Sequence, residues 1–166
     1  MSKTKTAQKH MWAPWRMEYI LQDKTSKVCA LCDQNPLHDS KRLVLKRGQH
    51  AYIMMNLYPY NNGHLMICPY KHTSNLIELS QEIKTDINNL IDESIKALDN
   101  IMQPEGYNIG MNIGQIAGAG IEDHLHWHIV PRWKGDTNFM PVINHTRVII
   151  EGLHETWEKL HKVLNQ

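Results

Sequence analysis

Apolar residues along this chain follow two periods, and each period predicts a different kind of element. From Ser80 to Met102 they fall at positions 83, 87, 90, 91, 95, 98, 101 and 102, one stripe of a helix. Ser80 is placed to cap its first turn, Glu82 suits the positive helix end, and Pro104 lies beyond the last turn. Elsewhere the runs are short and rich in β-branched and aromatic residues. "RLVLKRGQHAYIMMNLYP" (42–59) reads as two strands joined at Gly48, and "GHLMICP" (63–69) as a buried strand closed by Pro69. "GYNIGMNIG" (106–114) alternates like a strand, and "RVIIEGLHETWEKLHKVL" (147–164) predicts a short strand and a terminal helix. The sum is α+β: an antiparallel sheet with one long helix and a C-terminal helix. Residues 1–11 read as a polar mobile tail and 12–166 as one domain. Within it, "WAPWRMEYI" (12–20) is aromatic enough to dock, with Trp12 and Trp15 at a subunit interface or covering the sheet.

The densest signal is "EDHLHWHIVPRW" (122–133), where His124, His126 and His128 alternate with Leu125, Trp127 and Ile129. On a strand, alternate residues share a face, so the imidazoles line one side and the apolar residues enter a core. Three uses fit such a row: two or three ligands of a catalytic zinc, a nucleophilic imidazole oriented by a neighbour, or no joint use. The preceding "GAGIED" (118–123) is a glycine-rich turn whose backbone N–H groups can approach an anion. A phosphate cradle beside a neutral imidazole points to attack on phosphorus.

Composition narrows the classes. A length of 166 residues, 42% hydrophobic and 21% charged, suits one globular domain with a real core. A formal net charge of +1 leaves no footprint for bulk nucleic-acid binding. No apolar run is long enough to span a membrane, and the basic N-terminus has no apolar stretch after it, which predicts a cytoplasmic protein. Of three cysteines, Cys29 and Cys32 form a C-x-x-C pair, read as metal or redox chemistry. Zinc would need two further ligands, for which His72 and His124 are the candidates. Free thiols or a redox pair are the alternatives. Cys68, inside an apolar strand, reads as a small buried hydrophobe.

"DHLHWHIVPR" resembles the signature of the histidine triad superfamily of nucleotide hydrolases and transferases. The likeness extends to "NLYPYNNGHLMICPYKH" (56–72), to "NIGMNIGQIAGAGIEDHLHWHIVPRWKGDTNFMPV" (108–142) and to "WAPWRMEYI". These segments are similar to the bacterial branch related to diadenosine tetraphosphate phosphorylases. The resemblance implies the superfamily's fold and a homodimer sharing a continuous sheet. It casts His126 as the nucleophile on the α-phosphorus, His128 as the group that holds and polarises it with a backbone carbonyl, and His64 as completing the network. It places Asn56 at the ribose hydroxyls, where many relatives carry an acidic residue. Asn112 and the turn Gly118, Ala119 and Gly120 would receive phosphate oxygens. Several relatives have a serine in that turn to assist the leaving group, and this chain has none. The zinc-containing relatives imply a structural zinc on Cys29, Cys32, His72 and His124, which leaves no open position for catalysis. Arg132, Lys134 and 135–139 follow the strand closely enough to meet a second nucleotide or phosphate, or form a solvated loop.

The expected activity is nucleotidyl transfer or hydrolysis, most sharply phosphorolysis of diadenosine tetraphosphate by inorganic phosphate to ATP and ADP. Hydrolysis of nucleoside phosphoramidates or adenylylated conjugates is the close alternative. A noncatalytic zinc-containing nucleotide sensor is the alternative of another class.

Overall fold

A computed structural model describes residues 29–136 and 149–166. The expected N-terminal tail, Trp12 and Trp15, and the first half of the short strand before the C-terminal helix lie outside these residues; of its second half, Ile149 and Ile150 are described and belong to no strand. Five strands form one antiparallel sheet: β1 (Val44–Arg47), β2 (Ala51–Met55), β3 (Leu65–Pro69), β4 (Gly106–Gly110) and β5 (Trp127–Arg132). Their spatial order is β1-β2-β3-β5-β4, so the histidine strand inserts between β3 and β4. Among the described residues three α-helices accompany them: a single turn α1 (Asp39–Arg42), the long α2 (Gln81–Met102) and the C-terminal α3 (Leu153–Leu164).

The helix stripe folds as the spacing predicts. Ser80 caps α2 by accepting from the Ile83 N–H, and Ile87, Leu90, Ala97 and Leu98 are buried. The helix stops at Gln103, which takes a left-handed conformation before Pro104. It packs on one sheet face with Leu45, Ile53, Met55, Leu65, Ile67 and Ile129, joined by Leu160 and Leu164 of α3. The alternate side chains, Val44, Tyr52, Met54, Met66 and Cys68, form a second cluster on the other face with Leu31 of the C-x-x-C loop. Being covered on both faces explains why β2 and β3 are buried at every position instead of alternating.

The β1–β2 junction needs glycine. A Cβ on Gly48 would lie 2.9 Å from the Asp86 carboxylate and 3.0 Å from the Ala51 carbonyl oxygen. That carboxylate comes from α2 and accepts the N–H groups of His50 and Ala51, which fixes the hairpin against the helix. The β1 edge is covered by α3, whose Trp157 indole donates to the Val44 carbonyl while Asn165 donates to that of Leu45. At the opposite edge, β4 is half-buried to exposed. Among the described residues no helix is long and apolar enough to cross a membrane.

The histidine row departs from expectation in one respect. The ladder of β5 begins at Trp127, so His124, at a bend, and His126 both lie ahead of it. The cause is a long-range bond: the Leu125 N–H donates to the carbonyl of Thr73, not to a neighbouring strand. Side-chain alternation survives, with Leu125 and Ile129 buried in the helix-side core and Trp127 packed against it.

Candidate active site and metal centre

Each histidine of the row meets a partner that decides which nitrogen carries its proton. His124 is fully buried, and its Nε2 lies 2.9 Å from the Pro69 carbonyl oxygen. A carbonyl only accepts, so Nε2 carries the hydrogen and Nδ1 keeps a lone pair. Burial, the leading cause, lowers its pKa and favours the neutral imidazole a metal ligand must be. That Nδ1 faces Cys29 Sγ at 3.4 Å, Cys32 Sγ at 3.5 Å and His72 Nδ1 at 3.3 Å. Cys32 Sγ and His72 Nδ1 are 3.2 Å apart, and all four donor atoms lie within 4.8 Å of one another.

One lone pair facing three donor atoms fits a common electrophile better than three separate hydrogen bonds. Bonds of about 2.3 Å to sulfur and about 2.0 Å to nitrogen give a tetrahedron with edges of roughly 3.3–3.8 Å. The observed separations match that scale, so these four residues form a cluster able to hold a metal ion. Two contacts shape the loop without a metal: Arg42 donates to the carbonyls of Ala30 and Asp33, and the Tyr52 hydroxyl donates to that of Leu31. Nothing in the sequence marks either side chain, because all three partners are backbone carbonyls. Cys68 stands apart as a buried hydrophobe, its thiol pushed up to about 12 by burial.

His126 is 5% exposed, and its Nδ1 lies 2.9 Å from the carbonyl oxygen of His124. Nδ1 therefore donates, and the remaining lone pair is on Nε2. Two residues on, His128 sits mid-sheet, paired with Met66 of β3 and Gly110 of β4. Its ring is set edge-on to that of His126, with centroids 4.9 Å apart. Burial, with a smaller contribution from His126, depresses the His128 pKa to about 4, so the ring is neutral at physiological pH.

The proton on His128 is fixed from further back. The Tyr60 N–H donates to His64 Nδ1 at 3.0 Å, which leaves His64 Nε2 to donate to His128 Nδ1, also at 3.0 Å. His128 consequently carries its hydrogen on Nε2. His64 is fully buried, and the Tyr60 ring lies over it at 4.7 Å between centroids. This backbone-to-imidazole relay was not legible in the sequence, because an N–H leaves no residue-type signal. The turn carrying it needs Gly63 at φ +69°, where a Cβ would stand 2.7 Å from Met102 Sδ of α2.

The remaining candidates gather around this centre to different degrees. Asn56 follows β2, donates its N–H to the His64 carbonyl, and accepts the Tyr58 N–H on its side-chain oxygen. Its amide NH2 is the part left for a ligand. The loop between β4 and β5 starts just past Gly110, opposite His128, and returns to His124, so both its ends are at the row. Asn112 Nδ2 is 3.5 Å from the Gly118 carbonyl oxygen. The N–H groups of Gly118 and Ala119 donate back to Gln115 and Gly114, so this turn is internally bonded and not an open cradle. The Arg132 guanidinium is held by Asp136 and Asn108.

A family model described as "HIT domain" matches residues 37–135. This chain belongs to the HIT domain family. The HIT chain is 36% identical over 154 residues to an AP-4-A phosphorylase of Mycobacterium tuberculosis, covering 88% of this chain and 79% of that one. It is 36% identical over 78 residues to an adenosine 5'-monophosphoramidase of Schizosaccharomyces pombe, covering 47% and 55%. In fold it is similar to a Zn-bound histidine triad family protein from Mycobacterium smegmatis, with a TM-score of 0.61 and 22% identity over 75% of this chain and 84% of that one. A histidine triad nucleotide-binding protein from Sulfolobus tokodaii also gives 0.61, at 24% identity over 82% and 89%.

Proposed function

We propose that the protein is a nucleotidyl transferase that cleaves diadenosine tetraphosphate with inorganic phosphate, releasing ATP and ADP. The observation that carries this reading is the 2.9 Å contact between His126 Nδ1 and the His124 carbonyl, which leaves the ring's lone pair on Nε2 for attack. Nε2 attacks the α-phosphorus; the phosphorus–nitrogen bond forms as the bond to the bridging oxygen breaks, and ATP leaves. The positive charge that develops on the ring is shared with the His124 carbonyl, as the third member of a triad supports its base. An oxygen of inorganic phosphate then displaces the imidazole, giving ADP and free His126. His128, held by His64 as an Nε2–H donor, serves the phosphoryl oxygens in both steps. Asn56 serves the ribose through its amide hydrogens, and Asn112 with Gly118, Ala119 and Gly120 serves the phosphate chain once the turn opens its N–H groups.

Zinc on Cys29, Cys32, His72 and His124 fits as a structural ion, anchoring the chain end from which the His124 carbonyl reaches His126. The fit rests on the donor spacing and on the two thiols, soft ligands that favour zinc. A cytoplasmic homodimer completes the reading. The exposed edge of β4 supports it, since a second copy can extend the sheet there while α3 covers the β1 edge. Hydrolysis of phosphoramidates is the second reading, favoured by the relative named as an adenosine 5'-monophosphoramidase.

The test is to incubate the protein with diadenosine tetraphosphate, with and without phosphate, and separate the nucleotides. ATP plus ADP only with phosphate is the expected result. ATP plus AMP without phosphate makes it a hydrolase with the same nucleophile, and no turnover of this substrate removes the dinucleotide reading.

A further inference from the structure

The turn from Tyr60 to His64, which sets the His64 tautomer, is tied to the far end of the histidine strand by a polar network. Within the turn, the His64 N–H donates to the Asn61 carbonyl at 3.2 Å. The Asn61 side chain reaches across to β5, where its amide donates to the Pro131 carbonyl at 3.0 Å and to Asp136 Oδ2 at 2.8 Å. Asp136 lies just past β5, and its side chain is 9% exposed. Its carboxylate also accepts from Arg132 Nε at 2.6 Å and Nη2 at 3.1 Å, and from the Trp133 N–H at 3.3 Å. Arg132 in turn donates to Asn108 Oδ1 on β4 at 2.7 Å.

We infer that Asp136 is a positioning residue for the imidazole relay: through Asn61 it holds the turn whose Tyr60 N–H fixes His64, and thereby sets the proton on His128. The consequence for catalysis rests on the proposed function; the tautomer consequence does not. Only a carboxylate accepts every one of these donors at once, and an amide at 136 would turn its own NH2 toward one of them. If Asn61 loses the Asp136 carboxylate and keeps only the Pro131 carbonyl, the turn relaxes and the Tyr60 N–H leaves His64 Nδ1. His64 is then free to carry its hydrogen on Nδ1, which would make its Nε2 an acceptor. His128 Nδ1 would have to become the donor, leaving Nε2 without the hydrogen that faces substrate.

The network's weight falls on geometry more than on stability. The Arg132 side chain is 46% exposed, and ion pairs at such sites contribute little to folding. Displacement of a reacting group by an ångström, by contrast, can cost about a hundredfold in rate.

Breaking the link from either side tests this. Asp136→Asn turns an amide NH2 toward donors it would have to accept, and Asn61→Ala removes the tie from the turn to β5. Histidine 15N NMR reads the tautomers of His64 and His128 without any substrate, and kcat and KM are measured on the nucleotide the protein turns over. Each single variant is expected to shift both histidines away from the Nε2–H form and to lower kcat about tenfold with KM nearly unchanged. Because Asp136 acts through Asn61, the double variant is expected to lose no more than Asn61→Ala alone. Asn61→Ala carries the test should Asp136→Asn fail to fold. Single variants with the parent's 15N pattern would overturn the inference, as would losses that add in the double variant. Absence of turnover in the parent would count against the proposed function alone, since the NMR arm still reads the relay.

Discussion

His124 and His126 are the same residue type two positions apart, and their surroundings make them opposites. His124 gives its Nε2 hydrogen to the Pro69 carbonyl and turns Nδ1 to two thiols and a second imidazole. His126 gives its Nδ1 hydrogen to the carbonyl of His124 and keeps Nε2. Both are anchored by a backbone carbonyl, and the nitrogen that is anchored decides which one is left, Nδ1 of His124 toward the cluster and Nε2 of His126 for the proposed attack on phosphorus. The two regions meet in one residue, because the carbonyl that orients His126, the proposed nucleophile, belongs to a metal-ligand candidate. The knot is therefore expected to govern stability, and the imidazole pair to govern chemistry.

The strongest break in that comparison is His126→Ala. It is expected to lower turnover by at least about 10^4-fold while leaving the melting temperature and the bound zinc of the parent. Rate assays, melts and zinc analysis on one preparation check all three. The converse is His72→Ala, or zinc removal by a chelator. Structural zinc couples on the order of 10 kcal/mol to folding in small domains, so a large fall in melting temperature is expected. Equal melts for the two variants would contradict the division of labour. His128→Phe should fall between them in effect, losing roughly 10²–10³-fold in kcat through the missing donor, with zinc retained.

The smallest expected effect is a pH dependence. His128 has its folded pKa depressed to about 4, below the ordinary histidine value of 6.5. Its contribution to stability is therefore fully present above pH about 6.5 and is lost as pH falls towards about 4, because the unfolded chain takes up the proton first. Denaturant titrations between pH 7 and pH 4 should show the parent losing more stability than His128→Phe. Parallel curves would assign the acid limb to other groups.

Much of this arrangement was legible in the sequence, for local reasons. The stripe from Ile83 to Met102 specified a helix on one face of the sheet, and Gly48 marked a hairpin too tight for a Cβ. The C-x-x-C spacing and the histidine alternation singled out the donors that the fold brings together. What escaped detection depends on backbone groups, which carry no residue-type signal, and on side chains that meet only when strands pair. The strand was expected to carry all three histidines, yet the Leu125 N–H goes to Thr73 and the ladder begins at Trp127. His64 was reached only through the family resemblance, and nothing in its neighbourhood announces that Tyr60 offers it an N–H. Arg132 read as meeting a nucleotide or lying in a solvated loop, and neither reading contained its partners, Asp136 and Asn108, which come together when β5 lies beside β4.

Native mass spectrometry of the parent and of His126→Ala, mixed with diadenosine tetraphosphate without phosphate, tests the central claim most directly, because one spectrum reads both metal and nucleotide. The parent should carry zinc and a covalent AMP unit, and His126→Ala should carry zinc alone. An AMP adduct that survives in His126→Ala, or zinc lost with that side chain, would contradict the separation of the two histidines.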